Sequence, residues 1–87
     1  MNSYQLVISS PDGAIFEGEA LNLLVRGANG DLAVMAGHIP FITSVQPCDV
    51  KVTLADETEK TGHVDGGLLT VAADKVTLLS GNFCWND

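Results

Sequence analysis

Apolar and polar residues alternate along most of this chain with the period of two that is typical of half-buried β-strands. The clearest case is the segment 49–54, in which Val50, Val52 and Leu54 fall on one face and the other face is polar. The alternation predicts nine short strands, at residues 4–9, 14–19, 21–26, 31–36, 41–45, 49–54, 61–64, 68–71 and 75–79. No segment shows a convincing helical period, so the fold class predicted is all-β.

Turn-forming residues separate these predicted strands. Asn29-Gly30 is the strongest hairpin signal, because the tightest primed turns need positive φ at both central residues. Residues 37–40, Gly-His-Ile-Pro, predict a sharp corner that displays the imidazole of His38. Gly18 predicts a bulge or a kink within its strand. Short strands at this spacing, joined by turns, predict a flattened antiparallel sandwich or barrel.

The length of 87 residues predicts one domain, which buries roughly 60 to 65% of the surface of the unfolded chain. We expect residues 1–81 to form the sandwich and residues 82–87 to form a C-terminal tail whose Phe83 and Trp85 fold back onto it. The predicted core consists of Leu6, Ile8, Val50, Val52, Leu54, Val76 and Leu78.

The chain is hydrophobic and acidic. Charged residues make up 17% of it, against about 25% in an ordinary soluble domain, and the formal net charge is −7. The four basic residues are scattered, which argues against nucleic-acid binding because phosphate neutralisation needs a basic stripe. The strand at 31–36 is apolar on both faces, which predicts that it is covered on both sides or meets another protein.

No pattern in the sequence predicts catalysis. Hydrolase, phosphate-loop and HExxH motifs are absent. His63 and Asp65 share a strand face, but two ligands do not make a metal site, and Cys48 and Cys84 are best interpreted as reduced thiols. We therefore predict no catalytic residue, no cofactor and no metal. The chain also shows neither a membrane span nor a basic leader, which predicts a cytosolic protein.

One family shows a similar order of residues over most of the chain. Residues 11–13 (Pro-Asp-Gly), then Phe16 and Gly18, the segment from Gly27 to Pro40, and Gly66-Gly67 before the last hairpin resemble the epsilon subunit of F-type ATP synthases. The resemblance implies a flattened, ten-stranded β-sandwich that clamps the foot of the gamma stalk and sits on polar loops of the rotor ring. Ala36 and Cys48 depart from the family pattern, which usually has proline and glycine there.

The resemblance also implies which residues meet the partners. Ser10, His38 and Thr43 would contact gamma, and Asn29, Gly30 and Asp31 would face the rotor ring, where a carboxylate suits basic or amide groups. The residues alone favour a different interpretation, in which His38 is a corner residue bonded to its own backbone and Asn29 to Asp31 are no more than a hairpin tip. Family members usually continue into a regulatory helical hairpin, and we expect this chain to lack that C-terminal helical domain.

The function that the resemblance implies is that of a non-catalytic central-stalk subunit, which helps to couple ion translocation to ATP synthesis. Its partners would be gamma and the ring of c subunits, at the cytoplasmic face of a bacterial membrane, with membrane contact only through the complex and no obligate homo-oligomer. The alternative is a free-standing β-sandwich binding module, for example for carbohydrate. Sugar-binding surfaces usually show several exposed aromatic rings, whereas this chain has one Trp and one Tyr, at opposite ends.

Overall fold

The computed structural model describes residues 3–37 and 40–86, and these form strands and turns throughout. The strands are β1 (Tyr4–Ser10), β2 (Gly13–Gly27), β3 (Gly30–Met35), β4 (Phe41–Leu54), β5 (Glu59–Val71), β6 (Lys75–Leu79) and β7 (Phe83–Trp85). The predicted all-β class is therefore confirmed. Within these two ranges no helix is long and apolar enough to cross a membrane.

The strands close into a flattened barrel. Their order is β1-β6-β5-β4-β2, and β2 also pairs with β1, which closes the circle; β3 adds to the edge of β2 and β7 to the edge of β5. The β1–β6 pair is parallel, unlike the antiparallel arrangement predicted throughout, because the four antiparallel pairs around the rest of the circle give β6 the same direction as β1. Closure leaves β3 and β7 as the edge strands of the described residues.

The strand count differs from the prediction because three pairs of predicted strands are each one long strand. β2 continues through Ala20, β4 continues through Pro47, and β5 continues through Gly66 and Gly67. Two of them change neighbours along their length: β2 pairs with β1 up to Ala20 and with β3 from Asn22, and β5 pairs with β7 up to Val64 and with β6 from Leu68. β4 pairs with β5 throughout, and Pro47 lies where its pairing with β2 is interrupted. Proline and glycine therefore fall where pairing is interrupted or changes partner, not where strands end. With β7 added, the described residues form seven strands, not nine to ten.

The predicted core is confirmed except at one position. Leu6, Ile8, Val50, Val52, Val76 and Leu78 are fully buried, together with Leu23, Val34, Val64 and Leu69, whereas Leu54 is only partly buried at the end of β4. Fully burying one such side chain stabilises the fold by roughly 1.5 to 3 kcal/mol. The barrel interior is thus the main source of stability.

Tyr4 ties the first strand to the edge strand. Its buried hydroxyl donates a hydrogen bond to the carbonyl oxygen of Val34 in β3 at 2.7 Å. Burial raises the pKa of Tyr4, because the apolar surroundings disfavour the tyrosinate. The hydroxyl therefore stays protonated and available as a donor throughout the neutral pH range.

Two local predictions are wrong in detail. The β2–β3 turn has Ala28 and Asn29 at its centre, closed by the Gly27–Gly30 pair, and only Gly30 carries the positive φ, of 118°. Asn29 therefore does not adopt a positive φ. Gly30 adopts it instead, because glycine has no Cβ to clash there. The bulge in β2 lies at Ile15 rather than Gly18, because Ile8 pairs with Phe16 and Ser9 with Ala14.

The end of the chain packs back onto the barrel, as predicted for its two aromatic residues. Strand β7 pairs with Gly62, His63 and Val64 of β5. The Trp85 ring stands edge-on to Phe83 and Phe16, with centroids 4.9 and 5.9 Å away, and the Lys60 ammonium lies 4.4 Å from its centroid. These internal contacts engage the Trp85 ring, so it does not form an open sugar-binding platform.

Candidate functional site

An uncharged patch covers one outer side of the barrel. Two rows of paired residues cross β1, β6, β5 and β4 in register, and we call these eight residues the apolar face. The rows are Val7-Thr77-Thr70-Ile42 and Ser9-Leu79-Leu68-Ser44. Their sequence neighbours Leu6, Ile8, Leu69 and Leu78 are fully buried, so the alternation of the strands turns the eight outward.

The apolar face exposes large side chains to solvent. Ile42 is 67% exposed, Leu79 is 45% exposed and Leu68 is 41% exposed, and Leu68 and Leu79 are direct cross-strand partners. Ser44 pairs with Leu68, and Thr70 pairs with both Ile42 and Thr77. None of the eight residues carries a charge, although the net charge of the chain is −7. Depletion of charge around an apolar centre is the composition of a protein–protein interface core.

The tip of the β2–β3 hairpin, which we define as residues 27–31, is anchored on β4. The backbone N–H of Ala28 donates to Oγ1 of Thr43 at 3.4 Å. Gly27 pairs with Val45, and a Cβ at Gly27 would come within 2.6 Å of Cδ2 of Leu32, so a side chain at this position would have to displace the end of the Leu32 side chain. The tip is therefore held against the strand that carries Ile42 and Ser44.

An ion pair closes the base of this tip. Arg26 and Asp31 are cross-strand partners, and Nε of Arg26 donates to Oδ1 of Asp31 at 3.0 Å. The hydrogen bond to Asp31, followed by its negative charge, raises the pKa of Arg26. Both side chains are largely exposed, so this pair adds little to stability.

The structure brings two of the predicted gamma-facing residues to opposite edges of the apolar face. Ser10 follows the row residue Ser9 on β1, and its hydroxyl is engaged with the amide of Asp12 and the carbonyl of Gly13. Thr43 lies between Ile42 and Ser44 on β4 and is half-buried. His38, the third of them, lies outside the described residues. Asn29, Gly30 and Asp31 are all exposed on the hairpin tip.

A groove of about 900 Å³ with a mixed apolar and charged lining lies between the hairpin and β5. It is lined by Arg26, Asp31, Lys51, Asp49 and His63 around an apolar floor that includes Leu24. His63 lies between two carboxylates, with Nδ1 3.1 Å from Oδ1 of Asp49 and Nε2 3.8 Å from Oδ1 of Asp65. Among the described residues no group of three His, Cys, Asp or Glu side chains could hold a metal ion.

Sequence reasoning missed the residues that distinguish these surfaces. Leu68-Leu69 and Leu78-Leu79 are consecutive leucines, of which one must face outward on a strand, and that signal could have identified Leu68 and Leu79. Arg26 and Asp31 lie symmetrically about the hairpin turn, and this spacing could have predicted their pairing.

Comparison with known proteins identifies the family of this fold. A family model described as the beta-sandwich domain of the ATP synthase Delta/Epsilon chain matches residues 3–86. The ATP synthase epsilon chain of Bordetella avium is 39% identical over 80 residues, which are 92% of this chain and 57% of that relative. The chain thus spans little more than half the length of this curated relative.

Two solved structures have the same fold at low sequence identity. A chain of the Euglena gracilis mitochondrial ATP synthase, from a structure of OSCP, F1 and c-ring, superposes with a TM-score of 0.89 and 18% identity, covering 95% of this chain and 53% of that one. A chain of the Tetrahymena thermophila mitochondrial ATP synthase, from a structure of central stalk and c-ring, gives a TM-score of 0.77 and 12% identity, covering 94% and 66%. Together with the match over residues 3–86, these findings show that the chain belongs to the ATP synthase Delta/Epsilon chain beta-sandwich domain family.

Proposed function

We propose that this chain is a non-catalytic central-stalk subunit of a rotary ATP synthase and joins the gamma stalk to the rotor ring. In this proposal the apolar face and its edge residues Ser10 and Thr43 dock on gamma together with His38, and Asn29, Gly30 and Asp31 face the ring. The complex works at the cytoplasmic face of a bacterial membrane, and the chain meets that membrane only through its partners. Its function is to support the coupling of ion translocation to ATP synthesis.

The observation that carries the proposal is the apolar face next to an anchored polar tip. A subunit that transmits force between two partners needs one surface with lasting affinity and a second surface at a fixed position relative to the first. Ile42, Leu68 and Leu79 provide apolar area for the first. The bond between Ala28 and Thr43 holds the second close to it. Family membership favours gamma and the ring as the two partners. The internal contacts of Trp85 argue separately against a carbohydrate, because its ring does not form an open platform.

Site-specific crosslinking in the assembled synthase tests the orientation. The exposed Cys84 is first replaced by Ser, and single cysteines are then introduced at Ile42, Asn29 and Ala55 and labelled with a short photoreactive crosslinker. We expect I42C to crosslink to gamma and N29C to a ring subunit. Ala55 lies exposed beyond the far end of β4 from Thr43 and provides a matched control.

The Cys84→Ser parent shows any background from Cys48, which is half-buried. Crosslinks in the reverse sense, with I42C on the ring and N29C on gamma, would overturn the orientation. If neither position crosslinked to any subunit in an assembled, active enzyme, the central-stalk function itself would be wrong.

A further inference from the structure

The carboxylate that the proposed function directs at the rotor ring already has a partner within the chain. Arg26 and Asp31 are opposite each other on β2 and β3, so the backbone register alone brings their side chains together. Nε of Arg26 lies 3.0 Å from Oδ1 of Asp31, and the two side chains are 56% and 78% exposed. A donor that approaches this oxygen from outside shares it with Arg26, whose positive charge also weakens the attraction of the carboxylate for an external cation.

Arg26 is also fixed in place by the neighbouring strand. Its backbone N–H donates to Sγ of Cys48 at 3.4 Å, at the point where the pairing of β2 with β4 shifts register between Leu24 and Gly27. The backbone of Arg26 is thus held from β4, and its side chain is directed across to Asp31 on β3. The competition is thus part of the folded structure.

The exposure of the pair sets the size of this competition. A solvent-exposed ion pair opens readily and is screened by salt, so it can weaken an external contact without preventing it. The same exposure means that opening the pair leaves no buried charge behind. An approaching cationic or amide group can therefore exchange with Arg26 at modest cost.

We propose that Arg26 is an internal competitor that lowers the affinity of Asp31 for cationic or amide donor groups on the loops of the rotor ring. This inference rests on the proposed function, because it takes the ring as the partner of the hairpin tip. Arg26 tunes the strength and the salt dependence of docking without contacting the ring itself. It is a positioning residue for the carboxylate.

Binding of the 87-residue chain to the detergent-solubilised rotor ring of the same synthase tests the proposal. Dissociation constants are measured at low and at high ionic strength for the wild type, R26Q, D31N and R26Q/D31N. The control is K51Q, which removes the cation of another exposed pair, with Glu59, and changes the net charge equally. Melting temperatures verify that each variant folds.

We expect R26Q to bind the ring roughly two- to fivefold more tightly than K51Q at low salt, with the difference lost near 1 M salt. D31N should bind more weakly than the wild type, and R26Q/D31N should match D31N because no carboxylate remains to be released. If D31N weakens binding while R26Q matches K51Q or binds more weakly, Arg26 does not compete and the inference is wrong on its own. If the wild type does not bind, or D31N binds as the wild type does, the ring-facing assignment fails and the inference fails with it.

Discussion

The backbone N–H of Ala28 donates a hydrogen bond to Oγ1 of Thr43, and this contact, beside the Gly27–Val45 pair, joins the hairpin tip to the strand that carries Ile42. The hydroxyl of Thr43 in turn donates to the carbonyl oxygen of Ser44 at 3.1 Å. Thr43 therefore lies between the two surfaces that the proposed function assigns to gamma and to the ring. Its position is suited to keeping them at a fixed separation.

Replacing Thr43 by Val should loosen the tip, because the isosteric side chain can neither accept from Ala28 nor donate to Ser44. We expect faster hydrogen exchange at the Ala28 amide and a loss of about 0.5 to 1.5 kcal/mol in the free energy of unfolding. Thr43→Ser keeps the hydroxyl and is the matched control. An Ala28 amide that exchanges at the wild-type rate in Thr43→Val would show that Thr43 does not hold the tip.

Replacing Tyr4 by Phe should remove the hydrogen bond to Val34 and leave a carbonyl oxygen without its donor. At neutral pH we expect a loss of about 1 kcal/mol in the free energy of unfolding, measured by chemical denaturation. Retention of full stability in Tyr4→Phe would mean that the edge strand β3 is held by other contacts alone.

The same residue predicts a pH dependence at alkaline pH. Because the pKa of Tyr4 is raised in the folded chain, the unfolded chain loses this proton first as the pH rises above about 10. The contribution of Tyr4 is thus complete below that pH and is lost as the pH rises toward the folded pKa. The stability gap between wild type and Tyr4→Phe should narrow above pH 10. A stability gap that stays constant from roughly pH 8 to pH 11 would contradict the burial of the Tyr4 hydroxyl.

Replacing Gly62 by Ala should displace β7 from the barrel. A Cβ at Gly62 would lie 2.8 Å from both the carbonyl oxygen of Cys84 and the ring of Phe83. We expect a loss of roughly 1 to 3 kcal/mol in the free energy of unfolding and a red shift in the fluorescence of the single Trp85, as its contacts with Phe16 loosen. Gly81→Ala, where a Cβ would meet no atom within 4 Å, is the control. Equal behaviour of the two variants would show that β7 is not packed as described.

The sequence predicted the barrel interior because alternation is a local property. Val50 and Val52 lie two residues apart on one strand, so their side chains share a face, and that pattern alone is enough to turn them inward. Pro47 and Gly66-Gly67 misled the prediction, because residues that interrupt pairing with one neighbour were taken as strand ends. The parallel β1–β6 pair could not be predicted, since nothing local records which strand closes the barrel.

The candidate site was predictable only in part. The hairpin tip follows from Asn29-Gly30, although the residue that takes the positive φ is Gly30 alone. The apolar face depends on which strands lie side by side, because Ile42, Leu68 and Leu79 come together only through the pairing of β4, β5 and β6. Periodicity assigns each of these residues to an outer face but cannot place the three on the same one.

The most direct test of the central claim is the ratio of ions pumped to ATP hydrolysed in vesicles that contain the reconstituted synthase. Ile42→Asp places a charge at the most exposed large hydrophobic residue of the apolar face, whereas Thr61→Asp places one on the polar outer side, where Thr61 pairs with Lys51. We expect Ile42→Asp to lower the ratio toward that of a complex assembled without this chain, and Thr61→Asp to leave it at the wild-type value. A wild-type ratio with Ile42→Asp, in complexes shown to retain the chain, would contradict the claim that the apolar face joins it to the stalk.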